Sequence, residues 1–276
     1  MRKQFFVFLT LLLIPFIAQA AVVNTYDSNG RLIKQVVTDD TTGAITRNYT
    51  ESYDANGKPA AVSDLRYNTS GQQTNAYNYT YTGGALSAYS SNTYDVSSGT
   101  VTSAYSDTRD TTSGKVTTSD SKTYNTSGQQ TVNDSYTYTD GVVASRAYTT
   151  TDPSTGTTTR TYDATYDAAG KVADVDDVRY NTSGQKTNDY TTTYVNGVTA
   201  TYDSKTYDTT TGALTNNYQA GYDANGKVAT VNSTTYNTSG QQTVNDSYTY
   251  TDGVVASRAY TTTDPSTGTT TRTYDA

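Results

Sequence analysis

Beyond residue 20 the chain alternates short segments rich in Thr, Tyr and Val with clusters of Asn, Asp, Ser, Thr and Gly, and no apolar stretch recurs at helical spacing. Segments of nine or ten such residues suit a pleated surface, so each predicts a β-strand and each polar cluster a chain reversal. Glycine sets the beat: Gly30, Gly57, Gly71, Gly128, Gly170, Gly184, Gly226 and Gly240 belong to a lattice that recurs about every 14 residues, from which Gly84 and Gly221 stand apart. The turns fall into variants. Asp-x-Asn-Gly occurs at 27–30, 54–57 and 223–226, and Asn-Thr-Ser-Gly at 68–71, 125–128, 181–184 and 237–240. A third set holds Thr139-Asp140-Gly141, Val195-Asn196-Gly197 and the longer 152–156. Asn and Asp at these places bond back to their own main chain and tolerate left-handed backbone, which glycine adopts freely.

A tyrosine usually closes the strand just ahead of the turn: Tyr53, Tyr67, Tyr124, Tyr138, Tyr166, Tyr180, Tyr194, Tyr222, Tyr236 and Tyr250 hold that position. Strand side chains alternate, so each shares a side with the residue two before it, as in Leu65/Tyr67 and Tyr136/Tyr138, and a tyrosine-lined sheet face is expected. Aliphatic residues are scattered singly, which leaves tyrosine to supply most of the buried area.

A longer period overlies the first. Residues 123–164 return unchanged as 235–276, and 53–71 return with substitutions as 166–184, so the duplicated block spans eight strands. The first copy runs on past Ala164 into Thr165-Tyr166-Asp167 whereas the second stops at Ala276, which predicts further residues beyond that point. The expected architecture is all-β: tandem strand-turn repeats forming an elongated antiparallel hairpin array or spiral sheet, with Asn-Gly and Asp-Gly turns matched to the strand twist. A β-solenoid, with two 14-residue half-coils per rung stacking the tyrosines into ladders, is the alternative. A flexible polar stalk is the bland reading, opposed by the strand formers and the fixed spacing.

The first twenty residues are of another kind. Arg2 and Lys3 precede an apolar run from Phe5 to Ile17, and Ala18-Gln19-Ala20 has the small-x-small pattern of a signal-peptidase site. Residues 1–20 are expected to be a cleaved signal peptide and 21–276 the repeat region, extracellular or on the cell surface. The run is shorter than the ~20 residues of a spanning helix. With no cysteine, disulfides cannot hold the fold.

Without Arg2 and Lys3, 17 basic residues face 26 acidic ones, a net charge of −9 that disfavours nucleic acid as a partner. Histidine, cysteine and tryptophan are absent and Glu51 is the only glutamate, so the usual general base, thiol nucleophile and soft metal ligands are missing and no enzyme or cofactor is expected. Asp174, Asp176 and Asp177 are weak candidate calcium ligands, since carboxylates suit that ion, but no full calcium-loop spacing accompanies them.

One motif carries a resemblance. Tyr26-Asp27-Ser28-Asn29-Gly30-Arg31-Leu32-Ile33 resembles the YD repeat of the RHS (rearrangement hot spot) family, and Tyr53–Lys58, Tyr166–Lys171 and Tyr222–Lys227 are similar with Lys in place of Arg. Four other units read Tyr-Asn-Thr-Ser-Gly-Gln. The resemblance implies a spiralling sheet of hairpins in a surface-associated or secreted protein, of the kind that encloses a toxin domain or contacts carbohydrate.

Two functions follow as expectations. One is a structural or adhesive rod, fibre or matrix component that self-associates through strand edges or tyrosine-lined faces. The other is an array binding extracellular polysaccharide by many weak sites, with a shell segment of a larger toxin as a further alternative.

Overall fold

The computed structural model describes residues 20–276, and the expected signal sequence lies almost entirely outside the described residues. Nineteen strands follow one another in a single antiparallel meander, β1 (Val22–Tyr26) to β19 (Thr269–Asp275), each hydrogen-bonded to its neighbours in sequence. The sheet is open, and only consecutive strands touch. The hairpin array is therefore the fold. A solenoid is excluded, because its rungs would pair in parallel and every pairing here is antiparallel between sequence neighbours.

Every hairpin carries one register shift, placed where the strand-closing residue meets the incoming strand. Tyr53 at the end of β3 (Ile45–Tyr53) lies opposite Pro59 at the start of β4 (Pro59–Tyr67) while Ser52 lies opposite Ala61, so Ala60 is the extra residue. A bulge bends its strand and raises the local twist. Repeated at all eighteen junctions, it makes coiling a property of the whole sheet.

The turns are of three geometries rather than variants of one. In 54–58 the Gly57 amide donates to the Asp54 carbonyl and the Asp54 amide to the Lys58 carbonyl; Gly57 sits at φ 78°, a three-residue turn ending in a glycine bulge. The Asn-Thr-Ser-Gly turns are the same object. At 140–141 a two-residue primed turn places both residues in left-handed backbone, Asp140 at φ 54° and Gly141 at φ 83°. The third geometry, in 39–44, 95–100, 110–115, 152–157, 208–213 and 264–269, closes a longer loop by a bond from the glycine amide to the carbonyl four residues before it, as from Gly156 to Asp152. The grouping of 139–141 with 152–156 is thus corrected. Gly84 also joins the lattice: it is the second residue of the primed turn Gly83-Gly84, with φ 89°, the counterpart of Gly141.

No thick core exists. Among the described residues the buried apolar side chains are Ala76, Ala164 and Ala220, and the buried polar ones are Asp64, Asp107, Ser119, Asp177 and Thr234. The sheet is held by its ladders, by turn bonds and by side chains lying flat over adjacent strands.

Candidate functional site

Strand register assigns every side chain to one of two faces, and the chemistry of the two differs. Tyr49 lies opposite Asp64, Asp64 opposite Tyr77, and Tyr79 opposite Tyr89, so these residues share the first face. Following the pairings through the chain adds Tyr105, Asp107, Asp134, Tyr136, Arg146, Tyr148, Arg160, Tyr162, Asp177, Tyr190, Tyr202, Tyr218, Asp246, Tyr248, Arg258 and Tyr260. The second face carries mainly Thr, Ser, Asn and Asp.

The strand-closing tyrosines do not line one face. Tyr53, Tyr138, Tyr166, Tyr194, Tyr222 and Tyr250 close strands at one end of the sheet and lie on the first face. Tyr67, Tyr124, Tyr180 and Tyr236 close strands at the other end and lie on the second face. This corrects the single tyrosine face expected from alternation alone. The dense aromatic face is instead built by mid-strand tyrosines.

On that face the aromatic columns come in two kinds. In β5–β7 (Gln73–Thr82, Ala85–Tyr94, Val101–Arg109) the ring centroids of Tyr79 and Tyr89 are 5.0 Å apart and those of Tyr89 and Tyr105 6.0 Å. Tyr190, Tyr202 and Tyr218 repeat the column eight strands on, at 6.5 and 6.1 Å. Between these columns an arginine takes the middle position: the Arg146 guanidinium stands 5.5, 5.1 and 5.3 Å from the rings of Tyr136, Tyr148 and Tyr162. Such contacts are attractive because the ring face is electron-rich.

Arg47, Arg66, Arg109, Arg146, Arg160, Arg179 and Arg258 are each anchored by an aspartate on the same face. Arg146 donates from Nε to Asp134 Oδ1 at 2.8 Å and from Nη2 to Oδ2 at 3.0 Å. Asp64 accepts from both Arg47 and Arg66, and Asp177 from both Arg160 and Arg179. Burial raises the Asp64 carboxyl, yet the two guanidiniums outweigh it and hold it below the usual carboxylate value. The bond to Asp134 raises Arg146 in turn. Burial pushes up the phenols of Tyr49, Tyr79, Tyr105, Tyr136, Tyr162 and Tyr218, so these rings stay neutral well beyond physiological pH.

The weak calcium triad is separated by the same alternation. Asp177 points to the first face and is spent on Arg160 and Arg179, while Asp174 and Asp176 point to the second, where Thr165 donates to Asp174 at 3.3 Å and Thr191 to Asp176 at 2.8 Å. Among the described residues no group of three acidic side chains is placed to hold a metal.

The candidate turn glycines form a second device, which sequence reasoning missed. At several turns of one end of the sheet the residue after a turn glycine lies over the glycine of the next turn: Lys58 over Gly84, Lys115 over Gly141, Val142 over Gly170, Lys171 over Gly197 and Val198 over Gly226, while Gly114 and Gly253 have nothing over them. A Cβ on Gly84 would stand 2.9 Å from Lys58 Cδ. Lys58 Nζ also donates to the Gly83 carbonyl at 2.9 Å. A further pairing was visible as a pattern: turns that open with Asn continue after glycine with Gln, and those of the Asp-x-x-Gly kind continue with Lys or Arg. Asn125 Nδ2 donates to Gln129 Oε1 at 2.8 Å and Arg31 Nε to Asp27 Oδ2 at 2.7 Å, closing their own turns, whereas Lys58 and Lys171 reach carbonyls of the next turn.

On the second face a hollow of about 740 Å³ opens around Gly221, walled by Asp203, Lys205, Gln219, Thr230, Asn232 and Ser247. Gly221 lies within a strand, and a Cβ there would meet Thr230 Oγ1 at 2.7 Å.

No family model matches this chain, and no curated protein matches it. Among solved structures, TcdB2-TccC3 aligns at 11% identity over 93% of this chain and 18% of its own, with a TM-score of 0.20. A porin-like protein from Bacteroides uniformis aligns at 13% identity over 82% of this chain and 92% of its own, also at 0.20. A protein of unknown function from Bacteroides fragilis aligns at 12% identity over 61% and 87%, at 0.15. The chain thus spans less than a fifth of TcdB2-TccC3. TM-scores of this size carry no argument, and the topology stands on the strand pairings alone.

Proposed function

We propose that this chain is an exported structural or adhesive repeat protein, a rod, fibre or matrix component whose repeats supply length and a stiff, self-sealed surface. The observation that carries the reading is the mutual engagement of side chains in the middle of the first face: Arg47, Arg109, Arg146, Arg160 and Arg258 are held by Asp64, Asp107, Asp134, Asp177 and Asp246, and the mid-strand tyrosines stack on one another or on such arginines. Side chains so engaged stiffen a one-layer sheet. Nineteen strands at about 4.8 Å each amount to roughly 90 Å along the sheet. The expected N-terminal signal sequence supports an extracellular or surface setting, and the Tyr-Asp-x-x-Gly-Arg-Leu resemblance agrees with it.

Concentration-dependent assembly of the purified protein, seen by sedimentation and electron microscopy and unchanged by added sugars, is the expected result. The hollow around Gly221, where Asp203, Gln219, Asn232 and Ser247 stand among apolar wall atoms, favours one second reading, a polysaccharide-binding array. A protein that stays monomeric and is retained on a polysaccharide column would establish that reading in place of the first.

A further inference from the structure

The strand β1 is the least guarded in the sheet. All five of its residues are exposed, with Val22, Val23 and Tyr26 at 54, 59 and 55%, and among the described residues it pairs on one side only, with β2 (Leu32–Thr38). Its sequence, Val-Val-Asn-Thr-Tyr, holds no charge, proline or glycine. Natural sheets blunt their edges with such residues, and an edge without them is a template for another strand.

The direction of its free hydrogen-bonding groups follows from the ladder. The Ala21 carbonyl accepts from the Thr38 amide at 3.0 Å, so Ala21, Val23 and Thr25 bond toward β2, and the main-chain groups of Val22, Asn24 and Tyr26 face outward.

We propose that β1 pairs with β1 of a second copy of this chain, antiparallel, about a two-fold axis at Asn24. Rotation about an axis normal to the sheet is the operation that reverses a strand while keeping the two faces of the joined sheets in register. With Asn24 on the axis, the two Asn24 residues exchange both main-chain bonds, and the outward groups of Val22 meet those of Tyr26 from the other copy. The side chains then match themselves. Val22 and Tyr26 lie on the tyrosine face and cover one another, Val23 faces Thr25 on the second face, and both are cross-strand pairings that stabilise sheets. Asn24 Oδ1 accepts from Gln35 Nε2 at 3.1 Å, which leaves the Asn24 amide protons for the copy's side chain. An interface built on the same patch of both subunits closes as a dimer. It names the partner required by the structural reading above and rests on that reading.

The test is a sedimentation concentration series on the purified protein and on Asn24→Asp, with circular dichroism to verify that both are folded. Asn24 lies on the outer edge and makes no main-chain bond to β2, so the substitution leaves that ladder intact. The wild type should dimerise, and the variant should dimerise about tenfold more weakly at neutral pH, because two like charges then face each other across the axis. Acidification that protonates the introduced carboxylates should restore wild-type affinity, and Asn24→Lys should stay weak under the same acid conditions. Equal association of the wild type and Asn24→Asp would overturn β1 pairing while leaving the structural reading in place through some other surface. A wild type that shows no association at any concentration would overturn both.

Discussion

Arg160 on β11 (Thr158–Tyr166) reaches across one ladder spacing to Asp177 on β12 (Val172–Tyr180), donating to its two carboxylate oxygens at 2.7 and 3.0 Å. Asp177 is buried and Arg179 donates to it as well, at 3.2 Å, so one carboxylate bridges two guanidiniums that face each other across the strands and screens their repulsion. Asp177→Ala should cost about 2 kcal/mol in denaturant unfolding, the range for charge-assisted bonds to a buried group. Asp176→Ala, one residue away on the other face, should cost well under half as much. Equal effects would contradict the assignment of the two faces.

The close approach of Lys58 to Gly84 makes a separable prediction. Alanine at any turn glycine in left-handed backbone costs about 1–2 kcal/mol from strain alone, and Gly30, with nothing within 4 Å of a built Cβ, isolates that part. Gly84→Ala should cost more than Gly30→Ala because its Cβ meets the Lys58 stem at 2.9 Å. In a Lys58→Ala background the excess should shrink, leaving only the contact with the position 58 Cβ at 3.2 Å. A thermal-unfolding double-mutant cycle reads it.

Alkaline stability follows from the phenols. The ordinary tyrosine value is 10.0, and burial raises Tyr105, Tyr162 and Tyr218 above it in the folded state. A raised folded value means that these rings contribute stability fully below pH 10 and lose it as pH climbs through the folded values. Ultraviolet titration of phenolate should therefore lag behind free tyrosine and then rise together with loss of the β-sheet signal. Phenolate formation along the curve of free tyrosine, with the sheet intact, would refute the flattened, mutually covering rings.

At the acid end the turn aspartates govern. The Ser97 hydroxyl, the Ser98 amide and the Ser98 hydroxyl hold Asp95 down at about 2, against an ordinary 3.8. Because the folded value is depressed, the contribution is present above 3.8 and is lost as pH falls toward 2. Carboxyl titration by nuclear magnetic resonance should show Asp95 among the last to protonate, and Ser97→Ala should move it back toward the ordinary value. Asp39, Asp110, Asp152, Asp208 and Asp264 are lowered in the same direction by the same turn bonds. Loosening of these turns should thus be collective.

How much of this was legible beforehand is best seen at Tyr53 and Tyr67. Both were readable as strand-closing residues ahead of turns, because turn chemistry and strand propensity act within a few residues. Their faces were not readable. Tyr53 shares its strand with Tyr49, Tyr49 lies opposite Asp64, and Tyr67 stands three residues beyond Asp64, which puts it on the opposite side. The answer depends on the sum of turn length and bulge between two strands, and a single extra residue inverts it.

The sequence by itself determined the strands and the positions of the turns, since those are set by local backbone preference and by repetition, whereas the strand pairings decided that neighbours join antiparallel rather than stacking as a solenoid. Only the tertiary structure decided which side chains share a face, that Asp177 serves Arg160 and Arg179 rather than joining Asp174 and Asp176, and that turns such as those at Gly84, Gly141 and Gly197 are roofed by a side chain from the turn before. Apart from Arg179, two residues from Asp177, these partners stand about 10 to 30 positions apart and meet only once register is fixed by pairing.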